Sequence, residues 1–355
     1  NHQHLAISLF DGYKLKTFEL KLFKITEFVS NSLIFFILHR FRTNYHIWKY
    51  NQKRVLFKTN SQMMTEKPNP STLHLHRMSA LEIVKIMNAE DETIALAVKE
   101  ALQEIALAVE LISKRLKQGG RLFYVGAGTS GRLGVLDASE CPPTFGTRPE
   151  MVQGIIAGGK TAMTDSVEGA EDDGSAGEAE MRNQKVDHRD AVVAIAASGK
   201  TPFVLAAVEF ARKQGAATVG LACNSPSPLL ENVDVSIGIT VGPEVLAGST
   251  RLKSGTAHKM VLNMLSTATM VCLGKVYQNR MVDVQTTNKK LAKRAHEMVS
   301  ELGKVSPVVA KDLLKKSGNH VKTAVVMAQL GIDAIDARVL LEAEKGHLGR
   351  VLGTV

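Results

Sequence analysis

From Gly119 onward the chain alternates short apolar runs with longer amphipathic stretches. Candidate strands lie at 121–125, 152–157, 191–197, 217–222 and 234–240, and the segments between them, at 130–140, 161–171, 202–214 and 226–232, read as helices. Residues 191–197 (AVVAIAA) carry no polar side chain, as expected of a strand covered on both faces. Strands alternating with helices in this way predict an α/β fold built on a doubly wound parallel sheet. Two helical stretches precede it, at 80–88 and 92–117, the second closed by Gly119-Gly120. A long helix is expected over 256–277, and the tail from Asn288 to Val355 reads as a small helical bundle broken at Pro307, Gly318-Asn319 and Gly331. The pattern divides the chain into N-terminal helices over 63–118, a sheet domain over 119–284 and a C-terminal helical domain over 285–355. The last is expected to pack on the sheet domain or on a partner subunit.

Residues 1–62 are expected to stand apart from this fold. The first sixty hold twelve of the chain's eighteen aromatic residues, and ten Lys or Arg against three acids. Such a composition reads either as a real extension that packs on something or, the reading preferred, as upstream sequence translated in frame, with a functional start at Met63 or Met64. Its apolar run at Leu33–Leu38 is far short of the ~20 residues of a membrane span, and no small-residue cleavage site follows it. Neither an anchor nor a membrane role is expected. The formal charge of +9 splits into +7 over the first sixty residues and +2 over the remainder. A nearly neutral folded body argues against a groove that tracks nucleic acid. Cys141, Cys223 and Cys272 show no paired spacing, which points to a reducing, cytoplasmic setting and away from a disulfide framework or a zinc site. The eleven histidines form no ligand-spaced cluster, so no metal is expected.

Candidate chemistry concentrates at two turns. The first follows the apolar run Leu122–Val125, where Gly126 and Gly128 allow a tight turn and Thr129 and Ser130 can cap the next helix, leaving free N–H groups for an anion. With Gly131 these glycines spell G-x-G-x-x-G, but the second strand ends in Ala157-Gly158-Gly159, without the acidic residue a dinucleotide's ribose needs. No nucleotide cofactor is expected. The second turn, Ser198-Gly199-Lys200-Thr201-Pro202, places hydroxyls, a glycine and a cation before a proline suited to the first helical position. It mimics the end of a Walker A loop, yet Ala194 stands where that motif has glycine. Both turns fall at the carboxyl ends of strands, where doubly wound sheets bind ligands. Two anion loops flanking a switch point suit a compact sugar phosphate.

Carboxylates near these loops are candidates for acid–base work. Glu140 lies ten residues past Ser130, just before Cys141-Pro142-Pro143 is expected to stop the helix, and Glu168 and Glu171 sit three apart on one expected helix face. The alternative for each is a solvated surface acid, the reading preferred for Asp172 and Asp173. For the loop hydroxyls the alternative is a plain helix cap.

Four segments together carry a family resemblance: Gly126–Thr144 (GAGTSGRLGVLDASECPPT), Val167–Asp172 (VEGAED), Ala196–Pro202 (AASGKTP) and Gly242–Lys259 (GPEVLAGSTRLKSGTAHK). From about Met64 to the C-terminus the chain resembles the N-acetylmuramic acid 6-phosphate etherases, and the last segment is similar to a signature shared with the glucokinase regulatory protein. The resemblance implies a sugar isomerase (SIS) fold and removal of D-lactate from N-acetylmuramic acid 6-phosphate in cell-wall recycling. It implies Glu140 and Glu171 as the catalytic pair, Glu140 protonating the departing lactate and Glu171 taking the carbon 2 proton. Glu140 would then have to hold its proton near neutrality, which calls for apolar or anionic surroundings. For substrate binding the expected residues are Gly128, Thr129, Ser130, Gly131, Glu168, Ser198, Gly199, Lys200 and Thr201, with Arg251 and Lys253, and Lys259 beside them. SIS sites commonly lie near a subunit contact. The distance along a straight helix bears on this: Ser130 and Glu140 would be about 15 Å apart at ~1.5 Å per residue, too far for one small sugar to touch both, so either the phosphate sits mainly on the Ser198 loop or Glu140 serves a neighbouring subunit. A homodimer is expected. Two rivals stay open, a sugar-phosphate sensor and an aldose–ketose isomerase on the same fold; release of lactate separates both from the etherase.

Overall fold

The computed structural model of the protein describes residues 63–284 and 289–354; the expectations for residues 1–62 lie outside them. Among the described residues the central sheet is five parallel strands, β1 Leu122–Gly126, β2 Val152–Ile156, β3 Ala191–Ile195, β4 Ala217–Ala222 and β5 Val235–Gly238, in the order β2-β1-β3-β4-β5. All five expected strands are present, and the order reverses between β1 and β3 as a doubly wound sheet requires. The pleat sends alternate side chains of β1 to opposite sides. Leu122 and Tyr124 enter one core with Ile112, Cys141, Phe145, Val261 and Leu265, while Phe123 and Val125 enter another with Met181, Phe203 and Val204. Helices α1 Ala80–Lys99, α2 Leu102–Lys117, α3 Gly128–Phe145 and α7 Lys253–Cys272 build the first layer; α4 Gly174–Asn183, α5 Pro202–Lys213 and α6 Pro228–Glu231 build the second.

A hairpin, β6 Val276–Tyr277 with β7 Arg280–Met281, leads to helices α8 Lys289–Gly303, α9 Pro307–Lys316, α10 Val321–Leu330, α11 Ala334–Ala343 and α12 Leu348–Val351, which share a third core around Met298, Leu314 and Val325.

Four element expectations are corrected. The first helix runs unbroken to Lys99, because its polar stretch around Glu90 turns toward the buried Lys253 instead of ending the helix. Pro142 and Pro143 do not stop α3: they fall in its last turns, and Gly146, left-handed at φ 62°, ends it with its N–H on Pro142 O. No α-helix occupies 161–171. A 3-10 turn at Gly159–Met163 gives way to turns, and α4 follows, with Asp173 accepting from Ala176 N as its cap. Finally, α7 begins at Lys253 and ends at Cys272, displaced from the expected 256–277.

Candidate functional site

Gly126, Ile156 and Ile195 stand in register at the carboxyl edge of three adjacent strands, so the segments that follow them share one edge of the sheet. The first, 127–131, turns without a side-chain cap: Ala127 is extended, Gly128 takes φ 51°, and Thr129 and Ser130 lie within the first turn of α3 instead of capping it. The turn needs its glycines, since a Cβ on Gly131 would sit 2.7 Å from Gly126 O and 2.7 Å from Ile156 Cγ1. The second, 196–201, closes through Gly199 at φ 66°, where a Cβ would be 2.2 Å from Ser227 Oγ. Ser198 Oγ accepts from Lys200 N at 3.1 Å, Lys200 is exposed, and Thr201 precedes Pro202 at the first helical position without making a capping bond of its own. Hydroxyls of both loops, the exposed Lys200 and the N-termini of α3 and α5 thus lie at the carboxyl edge of the sheet on either side of the β1/β3 switch, where free N–H groups can receive an anion.

Between these loops runs the segment 157–173, anchored by a residue that sequence reasoning passed over. Arg132, on α3, donates from Nε to Met163 O at 3.1 Å and from Nη2 to Asp165 O at 3.0 Å. Further on, Phe203 N donates to Glu171 O at 3.0 Å, which fixes Glu171 beside the start of α5 and the Ser198–Thr201 loop. Glu168 and Glu171 are both exposed and sit in turns, not on one helix face; Glu168 Oε1 accepts from Ser166 Oγ at 3.2 Å. Asp173, expected to be merely solvated, is the cap of α4.

Glu140 is exposed on α3, three turns beyond Ser130 in the same unbroken helix. One turn before it Asp137 is buried, 3.6 Å from Lys259 Nζ and 3.2 Å from Ser266 Oγ. Burial raises the Asp137 carboxyl above its ordinary value, against the lowering effect of Tyr124 and Lys259. Leu136, one turn from Glu140 on the same face, is 44% exposed.

The segment 242–259 wraps the same edge of the sheet. Glu244 is fully buried and caps α7 three times, accepting from Lys253 N at 2.8 Å, Ser254 N at 3.0 Å and Ser254 Oγ at 2.7 Å. Lys253 Nζ meets Glu90 Oε2 at 2.5 Å with its side chain 3% exposed, so the expected anion ligand is already engaged by a carboxylate. Arg251 is exposed and lines a cavity of about 600 Å³ with Asn69, Leu73, His76, Met87 and Leu246; neither anion loop contributes to that lining. Behind the first loop His258 approaches Ser130. Among the described residues no group of three or more His, Cys, Asp or Glu could hold a metal ion, and no helix is long and apolar enough to cross a membrane.

The chain matches the model of the glucokinase regulatory protein N-terminal SIS domain over residues 104–212 and that of the SIS domain over residues 172–299. It is 49% identical over 295 residues to an N-acetylmuramic acid 6-phosphate etherase of Glaesserella parasuis, covering 83% of this chain and 97% of that one. It is 46% identical over 301 residues to the etherase of Clostridioides difficile, covering 85% and 99%, and 49% identical over 292 residues to N-acetylmuramic acid 6-phosphate etherase 2 of Vibrio cholerae, covering 82% and 95%.

Proposed function

The chain belongs to the N-acetylmuramic acid 6-phosphate etherase family, and from that premise we propose that it cleaves the D-lactyl ether of N-acetylmuramic acid 6-phosphate, giving D-lactate and N-acetylglucosamine 6-phosphate. The supporting observation is the backbone bond from Phe203 N to Glu171 O, which holds a carboxylate residue against a loop suited to an anionic sugar. In the open-chain aldehyde the carbonyl at carbon 1 acidifies the hydrogen at carbon 2. The Glu171 carboxylate removes that proton, and the electron pair becomes an enolate. The enolate collapses to a double bond between carbons 2 and 3 as the lactate oxygen leaves carbon 3 with a proton from Glu140. Water then adds at carbon 3, losing a proton to Glu140, and carbon 2 takes a proton back from Glu171. Each of these general acid–base contributions is worth roughly 10²–10⁴-fold in rate. Thr129, Ser130, Ser198, Lys200 and Thr201 hold the phosphate and hydroxyls.

The acid works from a covered surface. On a single chain Glu140 is exposed beside the exposed Leu136, and about 15 Å of helix at ~1.5 Å per residue separates it from Ser130. A second copy of the chain lying on this face excludes water and brings Glu140 to the neighbour's loops. The protein is therefore a homodimer with its site at the subunit contact, in the cytoplasm, where its three unpaired cysteines stay reduced.

The test is solvent exchange. Glu171→Gln abolishes exchange of the carbon 2 hydrogen, whereas Glu140→Gln retains exchange and stops lactate release. Retained exchange in Glu171→Gln overturns the division of roles.

A further inference from the structure

Behind the first loop two buried side chains, His258 and Cys223, have no role in the reaction as derived above. His258 is 1% exposed, and its ring stands between Ser130 Oγ, 3.3 Å from Nδ1, and Cys223 Sγ, 3.4 Å from Nε2. The three residues come from the first turn of α3, the position after β4, and α7. Burial pushes the Cys223 thiol up to about 12 and the His258 imidazole down to about 4, so near neutrality the thiol keeps its hydrogen and the ring carries one.

Two arrangements of these hydrogens satisfy the line. In one, the thiol donates to Ser254 O, 3.9 Å away, Nε2–H donates to sulfur, and Ser130 donates its O–H back to Nδ1. Ser130 then turns only lone pairs toward the loop. In the other, the thiol donates to Nε2, Nδ1–H donates to Ser130 Oγ, and the Ser130 O–H is free to donate outward. The first arrangement depends on a sulfur contact at the outer limit of a hydrogen bond, so it holds the line only weakly against an incoming acceptor.

We propose that His258 and Cys223 are positioning residues that turn the Ser130 hydroxyl outward as a donor to an oxygen of the bound sugar phosphate. The proposal rests on the reading that loop 127–131 receives that ligand. In the complex the hydrogens run Cys223 S–H to Nε2, Nδ1–H to Ser130, and Ser130 O–H to the ligand. Passing from the first arrangement to the second moves the ring hydrogen from Nε2 to Nδ1 and turns the S–H and O–H, and none of the groups changes charge.

The experiment uses the full chain labelled with nitrogen-15 histidine and N-acetylglucosamine 6-phosphate as probe. Binding is followed by calorimetry, and the His258 tautomer is read from its ring nitrogen shifts. The signal is identified by its loss in His258→Gln or, should that variant fail to fold, by its shift in Cys223→Ser. Binding with the hydrogen on Nδ1 is the expected result. Binding with the hydrogen retained on Nε2 overturns the proposal and leaves the etherase reading standing, whereas no binding of the sugar phosphate overturns both. Independently, Cys223→Ala raises KM about three- to tenfold with kcat within about twofold of the parent, the range of one net hydrogen bond, and Cys223→Ser restores the parental KM. A parental KM in Cys223→Ala overturns the proposal.

Discussion

Replacing Lys253 by Met tests whether this lysine supports the fold or binds the phosphate. Its ammonium meets Glu90 at 2.5 Å, with the lysine side chain 3% and the glutamate side chain 19% exposed. The burial that opposes a charge on Glu90 is outweighed by Lys253 and Asn69, which hold the carboxyl below its ordinary 4.5. Breaking a buried pair from one side costs about 3–5 kcal/mol, because the remaining charge is left uncompensated. Glu90 retains some contact with water, so the lower end applies, about 3 kcal/mol, or roughly 5–10 °C in Tm. Sign and pH window follow from the lowered carboxyl: the pair's stabilisation is present above 4.5 and is lost as pH falls through the folded value. The gap between parent and Lys253→Met is therefore widest at neutral pH and narrows as pH falls, as the stranded carboxylate takes up a proton. Thermal and urea unfolding between pH 4 and 8 measure it, and Glu90→Leu combined with Lys253→Met recovers most of the loss. A loss below about 0.5 kcal/mol together with a tenfold or greater rise in KM would refute this reasoning and return Lys253 to the phosphate.

Other expectations follow from single residues. His258, held near 4 by burial against an ordinary 6.5, refuses a proton that the unfolded chain accepts, so stability falls as pH drops from 6.5 toward 4, by up to about 1.4 kcal/mol per pH unit. His258→Gln removes that slope in urea titrations at pH 4.5 and 7; an unchanged slope contradicts the assignment. Gly199→Ala meets both a left-handed φ of 66° and Ser227 Oγ at 2.2 Å, whereas Gly128→Ala, at φ 51° with open space around it, meets only strain. The first costs several kcal/mol and sugar-phosphate binding and the second about 1 kcal/mol, as melting curves and calorimetry read. Arg132→Ala releases Met163 O and Asp165 O and lowers kcat roughly tenfold to a hundredfold with KM little changed; a parental kcat denies that the anchor positions Glu171.

The parallel sheet was legible because strands such as β3, Ala191–Ile195, are covered on both faces and leave a continuous apolar run. The two glycine turns were legible as turns, since Gly131 and Gly199 leave no room for a Cβ and Gly128 takes φ 51°. The segment 161–171 misled: it falls between two strands, where an α/β pattern calls for a helix, but Val167 packs against Gly158 and Gly169 takes φ 72°. The available signal was Asp173, which starts the helix one element later. Pro142 and Pro143 misled because prolines within the last turns remove N–H groups without preventing a glycine cap beyond them. What no local pattern reveals is a contact across sequence. Lys253 and Glu90 are 163 residues apart, and Ser130 and His258 are 128 apart. Their partners are set by the packing of α1, α3 and α7 on one face of the sheet.

The central claim is that the bond broken lies between the lactate oxygen and carbon 3 of the sugar, by elimination and then addition of water. The measurement that tests it most directly is turnover of N-acetylmuramic acid 6-phosphate in oxygen-18 water and deuterium oxide, with mass analysis of both products. The account predicts one oxygen-18 and one deuterium in N-acetylglucosamine 6-phosphate, at carbons 3 and 2, and unlabelled oxygens in D-lactate. Oxygen-18 in the lactate, or no lactate at all, would contradict it.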